Sequence, residues 1–205
     1  MADLTIEDVK KLKGKKRKFD ESFDLIVNIS GLDLKKPENR IRESLKLPNK
    51  VKDSKVCFIA EVLLPVAKKT KHKVLGKNDL DLKTREAKTL ARDYDFFAVE
   101  APLMPAAAKT LGKYLSPRNK QMIPVPPALK DLDNFTKGLD HIAQVSITKS
   151  PMVQIPLGKT SLKDEQILEN YTYAMEKIKA QLDSKKAQIR SVYLKTTMGE
   201  PVKVM

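Results

Sequence analysis

The 205-residue chain carries 40 Lys and Arg against 26 Asp and Glu, a formal net charge of +14, with 41% apolar and 32% charged residues. That length and apolar content support one large or two small folded domains rather than a disordered chain, and the charge favours a polyanionic partner. The longest apolar stretches, 56–60 and 62–67, fall far below the roughly 18 residues of a membrane span, so no membrane role is expected. Met1-Ala2-Asp3-Leu4 lacks a basic-then-apolar leader pattern, so no secretory signal is read and an intracellular location is expected. The one cysteine, Cys57, lies in the apolar run Val56-Cys57-Phe58-Ile59-Ala60 and reads as a small buried side chain, which leaves no internal disulfide or multi-thiolate metal site.

In chain order, Thr5-Ile6-Glu7-Asp8 reads as a capped helix start, followed by seven positive charges between Lys10 and Lys18 and then Phe19. Residues 23–29 are apolar and β-branched and end at Ser30-Gly31, a strand signature. Residues 41–47 fit a strand or a helical turn, because short apolar spacing does not decide between them, and strand is the preferred reading. After Leu47-Pro48-Asn49-Lys50 the pattern changes to short alternating elements: strand 55–60, helix 65–71, strand 74–75, helix 82–92, strand 96–99 and helix 104–114. Such alternation predicts a parallel α/β unit. The prolines of 115–127 argue against regular structure there, after which a helix at 129–138 and a strand at 142–147 complete the region. From Pro151 the grammar reverts to a strand at 152–157, a turn at Gly158-Lys159-Thr160, and a helix over 162–183 with Ser161 as its cap. The apolar positions Ile167, Leu168, Tyr171, Ala174, Met175, Ile178 and Leu182 line one face of that helix. Strands at 189–194 and 202–204 close the chain.

Catalytic chemistry finds no constellation. The turn after strand 55–60 reads Ala60-Glu61-Val62-Leu63-Leu64, without the glycines that let backbone N–H groups approach a phosphate and with a carboxylate that repels one. A nucleotide-dependent enzyme on the α/β unit is therefore the weaker alternative. His72, between two lysines, reads as solvated, and neither it nor His141 has partners at ligand spacing. The acidic pairs near Asp79, Asp93, Asp95 and Asp131 fit caps and loops equally well. Lys18-Phe19 sets an aromatic ring at the end of a cationic stretch, a combination suited to stacking on a base. Thr196-Thr197-Met198-Gly199 offers hydroxyls and a flexible backbone at a strand end, a group able to hold a ribose hydroxyl, though a plain turn explains it as well.

Several separated motifs stand out: Lys18-Phe19-Asp20-Glu21-Ser22-Phe23, Lys36-Pro37-Glu38-Asn39-Arg40-Ile41-Arg42 leading to Leu47-Pro48, Ala101-Pro102-Leu103-Met104-Pro105, Gly158-Lys159, Asp164-Glu165-Gln166-Ile167, and Ser191-Val192-Tyr193 running into Thr196-Thr197-Met198-Gly199. Together they resemble the large-subunit ribosomal protein L-one family in its archaeal form. The resemblance implies an α/β protein of two domains: a split α+β domain from both termini, 1–50 with 150–205, and an inserted Rossmann-like α/β domain, 51–149. It implies a non-enzymatic, cytoplasmic, ribosome-associated protein without cofactor or metal, monomeric within the ribosome. Its partners would be large-subunit rRNA at the mobile stalk, the exit-site tRNA beside it, and its own mRNA, whose translation it would repress. Carry-over places RNA contacts on Lys18, Phe19, Asn39, Arg42, Gly158, Lys159, Ser191, Thr197, Met198 and Gly199. A generic basic nucleic-acid binder is the blander alternative.

Two stretches depart from the family pattern. Gly-Pro-Arg-Gly followed by Met-Pro becomes Ser116-Pro117-Arg118-Asn119 followed by Lys120-Gln121-Met122-Ile123-Pro124, and the Leu-Pro-His-Gly hinge becomes Leu47-Pro48-Asn49-Lys50. With the expected boundaries each domain carries a net +7, so charge does not say which one meets RNA.

Overall fold

A computed structural model describes residues 4–14, 18–61, 63, 72–80, 83–126, 131–148, 150–185 and 187–204. It is a mixed α/β structure whose chain divides into two compact units, residues 1–52 with 141–205, and 53–140. The helix expected at 65–71 lies outside the described residues.

The first unit is organised by β1 (Ser22–Ser30), whose side chains alternate strictly so that Phe23, Leu25, Val27 and Ile29 point into the core. It pairs antiparallel with β8 (Met152–Lys159) on one side and β9 (Gln188–Thr196) on the other, and β10 (Val202–Lys203) extends the sheet beyond β9. A second ladder joins β2 (Ile41–Lys46) to β7 (Ile142–Ile147), antiparallel. The helix α5 (Asp164–Ser184) lays Ile167, Tyr171, Ala174, Met175, Ile178 and Leu182 against this sheet, and α1 (Ile6–Lys13) packs on α5. The expected N-terminal cap of α1 is present: Asp8 N–H donates to Thr5 Oγ1 (3.4 Å) and Thr5 N–H to the Asp8 carboxylate (3.3 Å).

The second unit holds the parallel sheet β4-β3-β5-β6, from β3 (Val56–Ile59), β4 (Lys73–Leu75), β5 (Phe96–Glu100) and β6 (Gln121–Val125). Helices α2 (Thr84–Asp93) and α3 (Met104–Leu115) set Ala87, Ala91, Ala107, Leu111 and Leu115 over Cys57, Ile59, Phe97 and Val99. Both β3 and β5 are buried at every position, as strands covered on both faces must be. A third helix, α4 (Leu132–Leu139), closes the unit. Cys57 is buried, and that burial pushes its thiol up to about 12 against the opposing pull of Lys73.

Four local expectations need correction. The strand at 142–147 belongs to the first unit, because β7 finds its hydrogen-bond partner in β2; the second boundary falls at Asp140/His141 rather than at 149/150. The net charge then divides as +9 for the first unit, 24 Lys and Arg against 15 Asp and Glu, and +5 for the second, 16 against 11. Regular structure occupies much of the proline-rich stretch: a 3-10 turn, Ser116–Arg118, is followed by β6, where Pro124 is tolerated because β6 is an edge strand. Asn119, where the resembled family has glycine, adopts the left-handed conformation (φ 54°, ψ 24°), which Asn accepts more readily than other non-glycine residues. Finally, Gly158 and Lys159 extend β8, and α5 begins at Asp164 with Gln166 Oε1 accepting from Lys163 N–H (3.3 Å), because the Ser161 hydroxyl is engaged elsewhere.

One buried polar side chain holds the first unit's connections. Asn170, fully buried on α5, donates through Nδ2 to the carbonyls of Leu157 (2.7 Å) and Asn49 (3.3 Å) and accepts from Asn49 N–H (2.9 Å). Asn49 Nδ2 in turn donates to Glu169 Oε2 (2.7 Å), and Leu47 N–H to the His141 carbonyl (2.8 Å). Asn170→Ala strands these groups, each costing roughly 1–3 kcal/mol when left unpaired. The expected loss, read from urea unfolding by circular dichroism, is about 3 kcal/mol; a loss near zero contradicts the network.

Candidate nucleic-acid interface

The sheet of the first unit gathers most of the sequence-predicted RNA residues at one end. Ser22, the first residue of β1, pairs with Lys159 at the end of β8, and its neighbour Phe23 stands opposite Gly158 and Thr196. Ser22 N–H donates to Thr197 Oγ1 (3.1 Å), and Thr197 N–H donates to the Ser22 carbonyl (3.0 Å). Seven residues, Lys18, Phe19, Gly158, Lys159, Thr197, Met198 and Gly199, therefore belong to three segments meeting at one end of the sheet. Two are conspicuous: Phe19 is 54% exposed and Met198 61%, large apolar side chains uncovered beside lysines. Such a surface suits base stacking with phosphate contacts around it.

Backbone geometry explains the glycines. The Gly199 N–H closes a turn onto the Thr196 carbonyl (3.1 Å), and a Cβ there would lie 2.2 Å from Thr196 Oγ1. Gly158 has φ +149°, and a Cβ would meet Leu162 Cδ1 at 2.4 Å. The register of β8 shifts between the partners of Phe23 and Asp24, leaving Leu157 as an extra residue. This bulge re-aims the end of β8 that carries Lys159.

The three other candidates lie elsewhere. Ser191 is buried in mid-strand and accepts from Asn28 Nδ2 (2.9 Å); six residues along β9, it stands about 20 Å from Thr197. Asn39 donates to the Asp33 carbonyl (2.8 Å) and so orders the loop after β1, while exposed Arg42 pairs in register with Ser146. These three sit toward the opposite end of β1, whose nine residues span about 27 Å. The basic run also divides: Lys13 is only 22% exposed, bound to Asp164 (2.6 Å) and to the Leu162 carbonyl (2.5 Å), so it serves the fold. Residues 15–17 of that run lie outside the described residues.

Sequence reasoning missed Asp20. One carboxylate oxygen accepts from Thr160 Oγ1 (2.7 Å) and Ser161 N–H (3.0 Å), the other from Ser161 Oγ (2.8 Å). Burial pushes its carboxyl upward, but the hydrogen bonds from Thr160 and Ser161, with Lys159 nearby, together hold it below the ordinary 3.8. The motif Lys18–Phe23 contained Asp20, yet nothing local pairs it with residues 140 positions away.

The other titratable groups have structural roles. Asp131 caps α4 through Asn134 N–H (3.1 Å), Asp79 accepts from Gly76 N–H (2.9 Å), Asp93 binds Arg92 (2.9 Å) and Asp95 binds Lys120 (3.1 Å). His72, expected to be solvated, is half-buried with its ring 5.6 Å from that of Phe58. His141 Nδ1 lies 3.1 Å from the Pro48 carbonyl. At the carboxyl end of the parallel sheet, where α/β folds bind ligands, Glu61 N–H donates to the buried Glu100 carboxylate (2.6 Å). An N–H that a nucleotide phosphate would need is thus already taken by an anion. Among the described residues no group of three His, Cys, Asp or Glu is placed to hold a metal ion, and no helix is long and apolar enough to cross a membrane.

Comparison with known proteins adds an independent finding. The sequence model of the ribosomal protein L1p/L10e family matches residues 9–200. The chain is 38% identical to the large ribosomal subunit protein uL1 of Pyrococcus abyssi (strain GE5 / Orsay), over 97% of this chain and 94% of that protein. It is likewise 38% identical to the protein of that name from Methanobrevibacter smithii, over the whole of both chains, and 31% identical to that of Methanocorpusculum labreanum, over 92% and 91%.

Because the folded-state Asp20 carboxyl lies below its unfolded value, the contribution of its hydrogen bonds is fully present above about pH 4 and is lost as pH falls through the lower, folded value. The Ser161 amide resonance, followed by NMR, is expected to titrate with a midpoint below 3.8. A midpoint at or above 3.8 contradicts the bonding described.

Proposed function

The chain belongs to the ribosomal protein L1p/L10e family, and from that premise we propose that it binds large-subunit rRNA at the mobile stalk through the end of the sheet carrying Phe19, Lys159 and Met198. The family is structural and non-enzymatic, and the role of the relatives, named as large ribosomal subunit proteins, is carried to this chain as that of a ribosomal constituent in the cytoplasm. In this reading the unit formed by 1–52 with 141–205 is the RNA-binding domain, and residues 53–140 form an inserted Rossmann-like domain. Exit-site tRNA and the chain's own mRNA, whose translation it represses, are further partners.

The observation that carries the reading is the exposure of Phe19 and Met198 at one end of β1, flanked by Lys18 and Lys159. Unstacked bases are held by apolar and aromatic side chains, while lysines position the phosphates. Asn39, Arg42 and Ser191, at the far end, would contact RNA separately, or in the case of Asn39 act through the loop it orders. A generic basic binder would use the +9 of this unit and could stack any base on an exposed ring, so preference among RNAs is what separates the two readings.

A competition assay of the full chain against stalk rRNA, its own mRNA leader and an unrelated hairpin at fixed salt tests this directly. The first two are expected to outcompete the hairpin; equal binding of all three leaves only the generic reading. Phe19→Ala is expected to weaken stalk binding by about 1–3 kcal/mol, the range for a lost base–aromatic stacking contact, and Met198→Ala to weaken it through lost apolar contact, each with little effect on the hairpin. If about six phosphates are neutralised, affinity falls roughly a thousandfold between about 50 and 200 mM salt.

A further inference from the structure

We propose that Asp20 is a positioning residue for RNA binding: it fastens the Lys18-Phe19 segment to the Thr160-Ser161 turn and so sets Phe19 in a fixed relation to Lys159. This rests on the RNA-binding reading above.

The bonds are specific. Phe19 is more than half exposed, so packing leaves much of its ring uncovered, and it precedes the first paired residue of β1 by three positions. The next residue, Asp20, supplies both carboxylate oxygens to three donors on Thr160 and Ser161. The backbone adds a fourth link, Thr160 N–H to the Glu21 carbonyl (2.8 Å). Thr160 follows Lys159 directly, so the clamp joins the two segments that bring the aromatic ring and the cation to the RNA face. Ordering both before RNA arrives removes that entropy cost from binding.

The sign of the charge makes the proposal testable. A carboxylate on a surface that meets phosphates opposes binding by Coulomb repulsion. Deleting it tightens RNA binding if Asp20 acts only as a charge, and weakens binding if it positions the segment.

With the full chain and a stalk rRNA transcript at fixed salt, Asp20→Ala is expected to bind about tenfold more weakly, the equivalent of re-ordering two long side chains. Thr160→Val combined with Ser161→Ala keeps the Asp20 charge and is expected to show a similar loss, even where Asp20→Ala folds poorly. Adding Asp20→Ala to that pair is expected to cost little more, since all three changes break one unit. Undiminished or tighter binding by Asp20→Ala or by the Thr160/Ser161 pair, with the wild-type chain still preferring stalk RNA, overturns the role of Asp20 alone. Absence of that preference in the wild-type chain overturns the RNA-binding reading itself.

Discussion

The backbone of Ser22 is bonded to Thr197 in both directions, through Ser22 N–H to Thr197 Oγ1 and Thr197 N–H to the Ser22 carbonyl, while the register of β1 against β8 sets it opposite Lys159. Fixing the start of β1 in this way fixes two things at once. A slip of one residue would turn Phe23, Leu25, Val27 and Ile29 out of the core, and the same slip would separate the three segments of the proposed RNA face. Core burial and site geometry are thus one constraint. The apolar side chains that stabilise the first unit also specify where Phe19, Lys159 and Met198 stand.

Charge plays a smaller part than the total suggests. The first unit holds more of the net charge, yet Lys13 spends its cation on Asp164 and the carbonyl of Leu162, and in the second unit Lys120 does the same for Asp95. What distinguishes the proposed RNA face is the pairing of lysines with exposed apolar side chains and with a turn at Gly199 where a Cβ would displace the Thr196 hydroxyl. The second unit has the sheet of a nucleotide-binding fold without its chemistry, since Glu61 and Glu100 stand at the edge where a phosphate would lie.

The signals legible in the sequence were those set by neighbours a few positions apart. The Thr5–Asp8 cap, the apolar β-branched strand at 23–29, the buried face of the helix read over 162–183 and the alternating elements of 55–114 each rest on short-range pattern, and each appears in the structure apart from the helix at 65–71, which lies outside the described residues. What misled was equally local. Prolines in 115–127 argue against a strand only when a strand must donate on both sides, and β6 lies at an edge. Ser161 looks like a cap three residues before an acid, but its hydroxyl is drawn to Asp20. Asn170 sat unnoticed among the apolar positions of α5 because its three hydrogen-bond partners are supplied by residues 49 and 157.

By itself the sequence determined that the chain folds as α/β, that it lacks the glycine turn of a nucleotide site, and, through motifs spread along most of its length, which family it belongs to. Those properties reside in composition, spacing and residue identity. Tertiary structure decided that β7 pairs with β2, that seven of the ten candidate RNA residues share one end of the sheet while Asn39, Arg42 and Ser191 do not, and that Asp20 ties Phe19's segment to Thr160 and Ser161. The reason is that strand pairing and long-range hydrogen bonds join residues more than a hundred positions apart, and no local pattern records which partner a strand or a carboxylate will find.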